Sequence, residues 1–97
     1  MKQPEAQKII RTRAASSLNV VFVHHAQLQM RKRGIDALQV FRCLQRGSIT
    51  EGPYRAIKSG QWRCNVDART GGDLIRVVVE ISDKPELLEV ITVIGLE

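Results

Sequence analysis

His25, Arg33, Arg63 and Arg76 are the side chains of this sequence best suited to chemistry on a phosphodiester. Metal-free cleavage of RNA needs a group that takes the proton from the 2′-OH, a cation on the scissile phosphate and an acid for the leaving oxygen. An imidazole, with an ordinary pKa of about 6.5, can serve as base or acid. Guanidinium groups can grip a phosphate through two parallel N–H donors. On a helix of about 3.6 residues per turn, His25 and Arg33 would lie on one side, roughly 12 Å apart along the axis. That is too far for a direct pair unless His25 begins the helix and Arg33 reaches back. Arg63 and Arg76 would share one sheet face if their strands pair in register.

Each of these residues also has a structural reading. His25 can cap a helix and bond the sheet backbone. Arg33, beside a glycine, can complement the negative end of a helix dipole. Arg63 and Arg76 can form cross-strand pairs with Glu80, Asp67 or Glu89. Trp62 reads as core before it reads as a stacking platform for bases. His24 reads as exposed and incidental.

The charge is uneven. The chain carries a net charge of +5, yet residues 1–34 hold seven basic residues against Glu5 alone, and residues 35–97 hold eight basic against nine acidic. A basic first third suggests an anionic partner, nucleic acid or an acidic protein, or else a solvated surface that keeps the protein soluble. Arg11, Arg13, Arg31, Lys32 and Arg55 are the candidate nucleic-acid contacts. No Gly-rich phosphate loop, dinucleotide fingerprint or paired-carboxylate spacing occurs, and no Ser or Cys has an evident base partner.

The two cysteines, Cys43 and Cys64, lack a CxxC spacing, and the two histidines are adjacent, so no zinc pattern forms and no cofactor is expected. Buried free thiols in a reducing compartment are the expectation, with a Cys43–Cys64 disulfide as the alternative. No apolar run approaches the roughly 20 residues that span a bilayer, so no membrane partner is expected. The first 17 residues have charges throughout and no compact apolar block, unlike a secretory signal. Being amphipathic and Arg-containing, they leave an organellar presequence as the alternative to a cytoplasmic location.

The elements that must position these residues follow from periodicity. Residues 4–17 read as a helix with Pro4 in its first turn. Residues 20–23, β-branched and aromatic, suit one short strand. Residues 26–33 read as a second helix that Gly34 ends in a left-handed conformation, with Ile35 folding back over it. Asp36 suits the N-cap of a third, Ala37–Arg46, whose Leu38, Val40, Phe41 and Leu44 make an apolar stripe. Gly47 is expected to end it as Gly34 ended the second. The rhythm then changes to alternation. Residues 49–57 form a strand bent at Gly52-Pro53, and residues 61–69, 74–81 and 87–94 form three more. Thr70-Gly71-Gly72-Asp73 is a hairpin loop.

One ordered set is more specific than its parts: His25-Ala26, Met30, Arg33-Gly34-Ile35, Val40, Gly47 through Pro53, Gln61-Trp62-Arg63-Cys64, Arg76 through Val79 and Val90 through Val93. It resembles a bacterial domain-of-unknown-function family, DUF4258, over residues 18–95, with the helix in residues 1–17 as a flanking addition to a single domain. That family is in turn distantly similar to toxin ribonucleases of the RelE and BrnT kind. The resemblance implies RNA as substrate and a cognate antitoxin-like protein as partner. The sequence departs from those enzymes at its last strand, which offers no His, Tyr or Lys where they often place a catalytic group.

The expected architecture is α+β, with two to three N-terminal helices packed on one face of a four-stranded, mostly antiparallel sheet of RelE-like or BECR-like kind. Three functions compete: a toxin-like, metal-independent ribonuclease, a non-catalytic binding module for nucleic acid or a partner protein, and an assembly role as a homodimer.

Overall fold

A computed structural model describes residues 1–97. The helices come first: α1 (Gln3–Ala14), α2 (His24–Arg33) and α3 (Ala37–Arg46). Between the first two lies a short strand, β1 (Val20–Phe22), entered through a single 3-10 turn. Four longer strands follow: β2 (Ser48–Arg55), β3 (Trp62–Thr70), β4 (Asp73–Ile81) and β5 (Leu88–Gly95).

Local chemistry sets the helix ends. Asp36 accepts a hydrogen bond from the Gln39 amide, and the Gln39 side chain accepts one from the Asp36 amide, a reciprocal cap that starts α3. Gly34 ends α2 with φ +68°, and Ile35 returns its N–H to the Met30 carbonyl and packs into the core. Gly47 differs from the expectation. Its φ is −73° and its ψ 177°, an extended conformation open to any residue. It must be small for another reason: a Cβ there would sit 2.5 Å from the Cys43 carbonyl oxygen and 2.6 Å from that of Asp67. The chain passes from α3 into β2 too close to β3 for a side chain.

The sheet has five strands, not four, in the order β1-β5-β4-β3-β2. Three pairings are antiparallel, as alternation and the Thr70–Asp73 hairpin suggested. The fifth strand is β1, which pairs parallel to β5, Val20 with Leu88 and Phe22 with Val90. A parallel neighbour needs a crossover, and everything between β1 and β5 supplies it. The register of β2 slips between Ile49 and Glu51 and again between Glu51 and Tyr54, where Gly52-Pro53 bends the strand.

All three helices bury their apolar stripes on one sheet face. Ala6, Ile10 and Ala14 of α1, Ala26 of α2 and Val40, Cys43 and Leu44 of α3 meet Cys64, Val66, Ile75, Val77, Val79, Leu88, Val90 and Val93 in a single core. Trp62 packs against this core, as read from its place in the alternation. Gln7 also ties α1 to the edge strand: it donates to the Gly47 carbonyl and accepts from the Ile49 amide. That contact guards an edge that would otherwise invite pairing with another chain. No helix is long and apolar enough to cross a membrane.

Candidate functional site

The second face of the sheet carries no helix, and the strand register arranges it in rows. Tyr54, Arg63, Glu80 and Glu89 form one row, and Glu51, Asn65, Val78 and Thr92 the next. Ser48, Asp67, Arg76 and Ile94 form the third. Two arginines therefore share this face with four carboxylates.

Both arginines are paired within the sheet. Arg63 donates to Glu80 from Nε at 2.8 Å and from Nη2 as well. Arg76 forks onto Asp67, Nε to Oδ1 at 2.8 Å and Nη2 to Oδ2 at 2.9 Å. Of the two readings that the sequence offered, the cross-strand pairs are the ones present, and a phosphate held by both guanidiniums would have to compete with a carboxylate at each. Glu80 is nearly sealed from solvent, and it also accepts from Ser59 and Gln61. Burial alone would raise its pKa; the hydrogen bonds from Ser59, Arg63 and Gln61 outweigh it and hold the carboxyl below the usual glutamate range.

His25 lies elsewhere. It is the second residue of α2, exposed, and neither hydrogen-bonded nor part of a cavity wall. Nor does it cap the helix. Val23 occupies the N-cap in an extended conformation, and no side chain bonds the first turn. Arg33, at the far end of α2, donates to Gln29 and lines a cavity of about 280 Å³ with Asp73 and Glu97. His25, Arg33, Arg63 and Arg76 share no cavity.

The candidate nucleic-acid contacts are also dispersed. The Arg13 guanidinium donates to the Ser82 and Leu87 carbonyls at 3.0 and 2.9 Å, which fastens α1 to the β4–β5 turn. Arg55 donates to the Gly60 carbonyl and lies 4.0 Å from the centre of the Trp62 ring. Arg31 and Lys32 are exposed in the last turn of α2, without bonded partners. Arg11 donates to the carbonyl of Gly47, a residue in the wall of a cleft, at 3.2 Å.

That cleft, about 450 Å³, lies where the end of α3 meets β3, and arginines dominate its walls: Arg42, Arg46 and Arg69. Arg42 and Arg46 lie one turn apart on the polar side of α3, and neither meets a carboxylate. Arg69 forks onto Glu97 at 2.8 and 3.1 Å, a pair more than half exposed and therefore weak. Asp67 contributes to the wall, but its carboxylate is held by Arg76. Residues 1–46 carry nine basic and two acidic side chains, so the basic character of the chain extends through α3. Arg42 and Arg46 lie outside the set of candidate contacts that residue type and charge distribution pick out. Their signal was available: two arginines four apart on an amphipathic helix, a like-charge spacing that slightly disfavours the helix unless an anion sits between them.

Cys43 and Cys64 are free and buried. Burial, helped by the nearby Asp67 charge, pushes the Cys43 thiol up to about 12, and burial pushes Cys64 to about 11. No three His, Cys, Asp or Glu side chains gather in a metal-binding group.

Compared with known proteins, residues 22–94 match the profile of a family described as a domain of unknown function (DUF4258). No curated protein and no solved structure matches the chain.

Proposed function

The chain belongs to the DUF4258 family, and from that premise we propose that it acts as a binding module for RNA, with the phosphate backbone held in the cleft at the end of α3. One observation carries this reading: Arg42, Arg46 and Arg69 converge on a single cleft, and two of the three have no carboxylate to neutralise them. A polyanion meeting them releases counterions, the main source of affinity in sequence-independent binding. The uncovered sheet face suits this role less well, because its two arginines are outnumbered by Glu51, Asp67, Glu80 and Glu89.

Anisotropy of a labelled single-stranded RNA, titrated at several salt concentrations, tests the reading. Wild type should bind with a steep salt dependence. Arg42→Ala with Arg46→Ala should bind more weakly, with a log–log salt slope shallower by about one per lost contact. An unchanged slope in the double variant removes the proposal.

A second reading, cleavage of RNA in the manner of the toxin ribonucleases, draws on one feature. His25 is exposed and its side chain makes no hydrogen bond, so its imidazole is open to a substrate.

A further inference from the structure

A different part of the molecule displays apolar surface with no role in the fold. Ile57, at the tip of the β2–β3 connection, is 102% exposed, and Tyr54 beside it is also exposed. With Ile91 of β5 they line a groove of about 610 Å³ at the opposite end of β2 from the arginine cleft. The other long side chains on its walls are Arg55, Lys58 and Arg63; no carboxylate lines it.

The connection that displays Ile57 is firmly held. Ala56 N–H donates to the Gln61 carbonyl at 2.9 Å, and Gly60 N–H donates to the Ala56 carbonyl at 2.8 Å. The Arg55 guanidinium clasps the Gly60 carbonyl at 2.8 Å from its seat over Trp62. Ser59 Oγ donates to Glu80 at 2.7 Å and accepts from the Gln61 amide at 3.1 Å. The buried Glu80 carboxylate thus anchors the loop from beneath. An isoleucine presented on a rigid support loses little freedom when it is covered, which favours binding.

We infer that this hairpin groove docks an acidic, apolar-bearing segment of a partner protein. The apolar side chains of such a segment would cover Ile57, Tyr54 and Ile91. Its carboxylates would meet Lys58 and Arg55, which have no carboxylate partner, while Arg63 is already paired with Glu80. Charge selects this occupant over a second copy of the chain, since a symmetric pairing through the groove would set Lys58 and Arg55 of both copies against one another. The inference stands apart from RNA binding, because none of its residues belongs to the arginine cleft.

The test is a selection followed by a titration. The immobilised chain is panned against a phage-displayed library of random peptides, and the most enriched peptide is synthesised with a fluorophore. Enriched peptides should combine Asp or Glu with Leu, Ile or aromatic residues. Binding of the synthetic peptide should weaken about tenfold or more in Ile57→Asp and fall in Lys58→Glu, with Arg42→Ala/Arg46→Ala binding as wild type. Ile57 touches solvent alone, so its replacement leaves the fold intact, which circular dichroism checks. The inference fails if no peptide is enriched, if enriched peptides lack acidic residues, or if Ile57→Asp binds as well as wild type. It also fails if light scattering shows a dimer that Ile57→Asp abolishes, or if that variant loses RNA binding.

Discussion

Arg63 stands directly across from Glu80 on neighbouring strands, and between them they seal a carboxylate from water on a sheet face that no helix covers. Two further donors, Ser59 and Gln61, depend on that carboxylate, and through them so does the β2–β3 loop.

Glu80→Ala should therefore cost about 3 kcal/mol in urea denaturation, because it strands a partly buried guanidinium, leaves Ser59 without its acceptor and takes one of two acceptors from Gln61. The effect depends on pH with a definite sign. The folded pKa lies below the unfolded value of 4.5. The stabilisation is thus complete above that value and is lost as pH falls through the lower folded one. The stability gap between wild type and Glu80→Gln should be constant near neutrality and narrow on acidification below 4.5. A gap that widens there would contradict the assignment.

Gly34 and Gly47 should respond differently to alanine. Gly34→Ala meets no neighbouring atom and suffers only from its positive φ, at about 1 kcal/mol. Gly47→Ala has an ordinary backbone but drives a methyl group into two carbonyl oxygens. It should cost about 2 kcal/mol or more, since backbone on both sides cannot retreat as a side chain would. Urea midpoints of the two variants decide the order.

Asp36→Ala removes half of the reciprocal cap on α3 and should destabilise by about 1 kcal/mol in the same assay. The Asp36 backbone amide still donates to the Gln39 side chain, so Gln39 keeps its bonds to Thr70 and Asp73 and the loss stays at the helix end.

What the sequence disclosed has the same character as that cap. Asp36, Gly34 and the alternation of β3 and β4 act within a few residues, so their types reveal them. The parallel pairing of β1 with β5 was hidden because Val20 meets a partner far along the chain. The role of Gly47 is not legible locally, because part of its constraint comes from Asp67 across the sheet. The candidate site was less legible still. Whether Arg63 and Arg76 are free or paired depends on strand register, which places Glu80 and Asp67 opposite them. The arginine cleft joins α3 to β3, and only Arg42 and Arg46, one turn apart, announced it locally.

Cys43 and Cys64 should resist a thiol reagent at pH 8 in the native protein and react fully in denaturant. Burial holds both thiols protonated, at about 12 and about 11, and the thiolate is the nucleophile. A rapid native reaction would show that the core opens around α3.

His25→Ala should leave RNA affinity unchanged, because His25 lies outside the arginine cleft. RNA incubated with wild type and with the variant separates the two readings of function. Cleavage by wild type that the variant loses would establish the imidazole in catalysis and displace the simple binding role.

The pairing of β1 with β5 also orders events during synthesis. Val20 to Phe22 leave the ribosome early, yet their backbone partners, Leu88 to Val90, follow 68 positions later. The nascent chain must carry β1 without a partner while α3 and the β2–β4 meander are made. Such distant pairings close late, because the intervening loop entropy is lost before any contact compensates for it. The first strand made is thus among the last to be locked, and until β5 arrives the apolar side of α2 has little sheet to rest on.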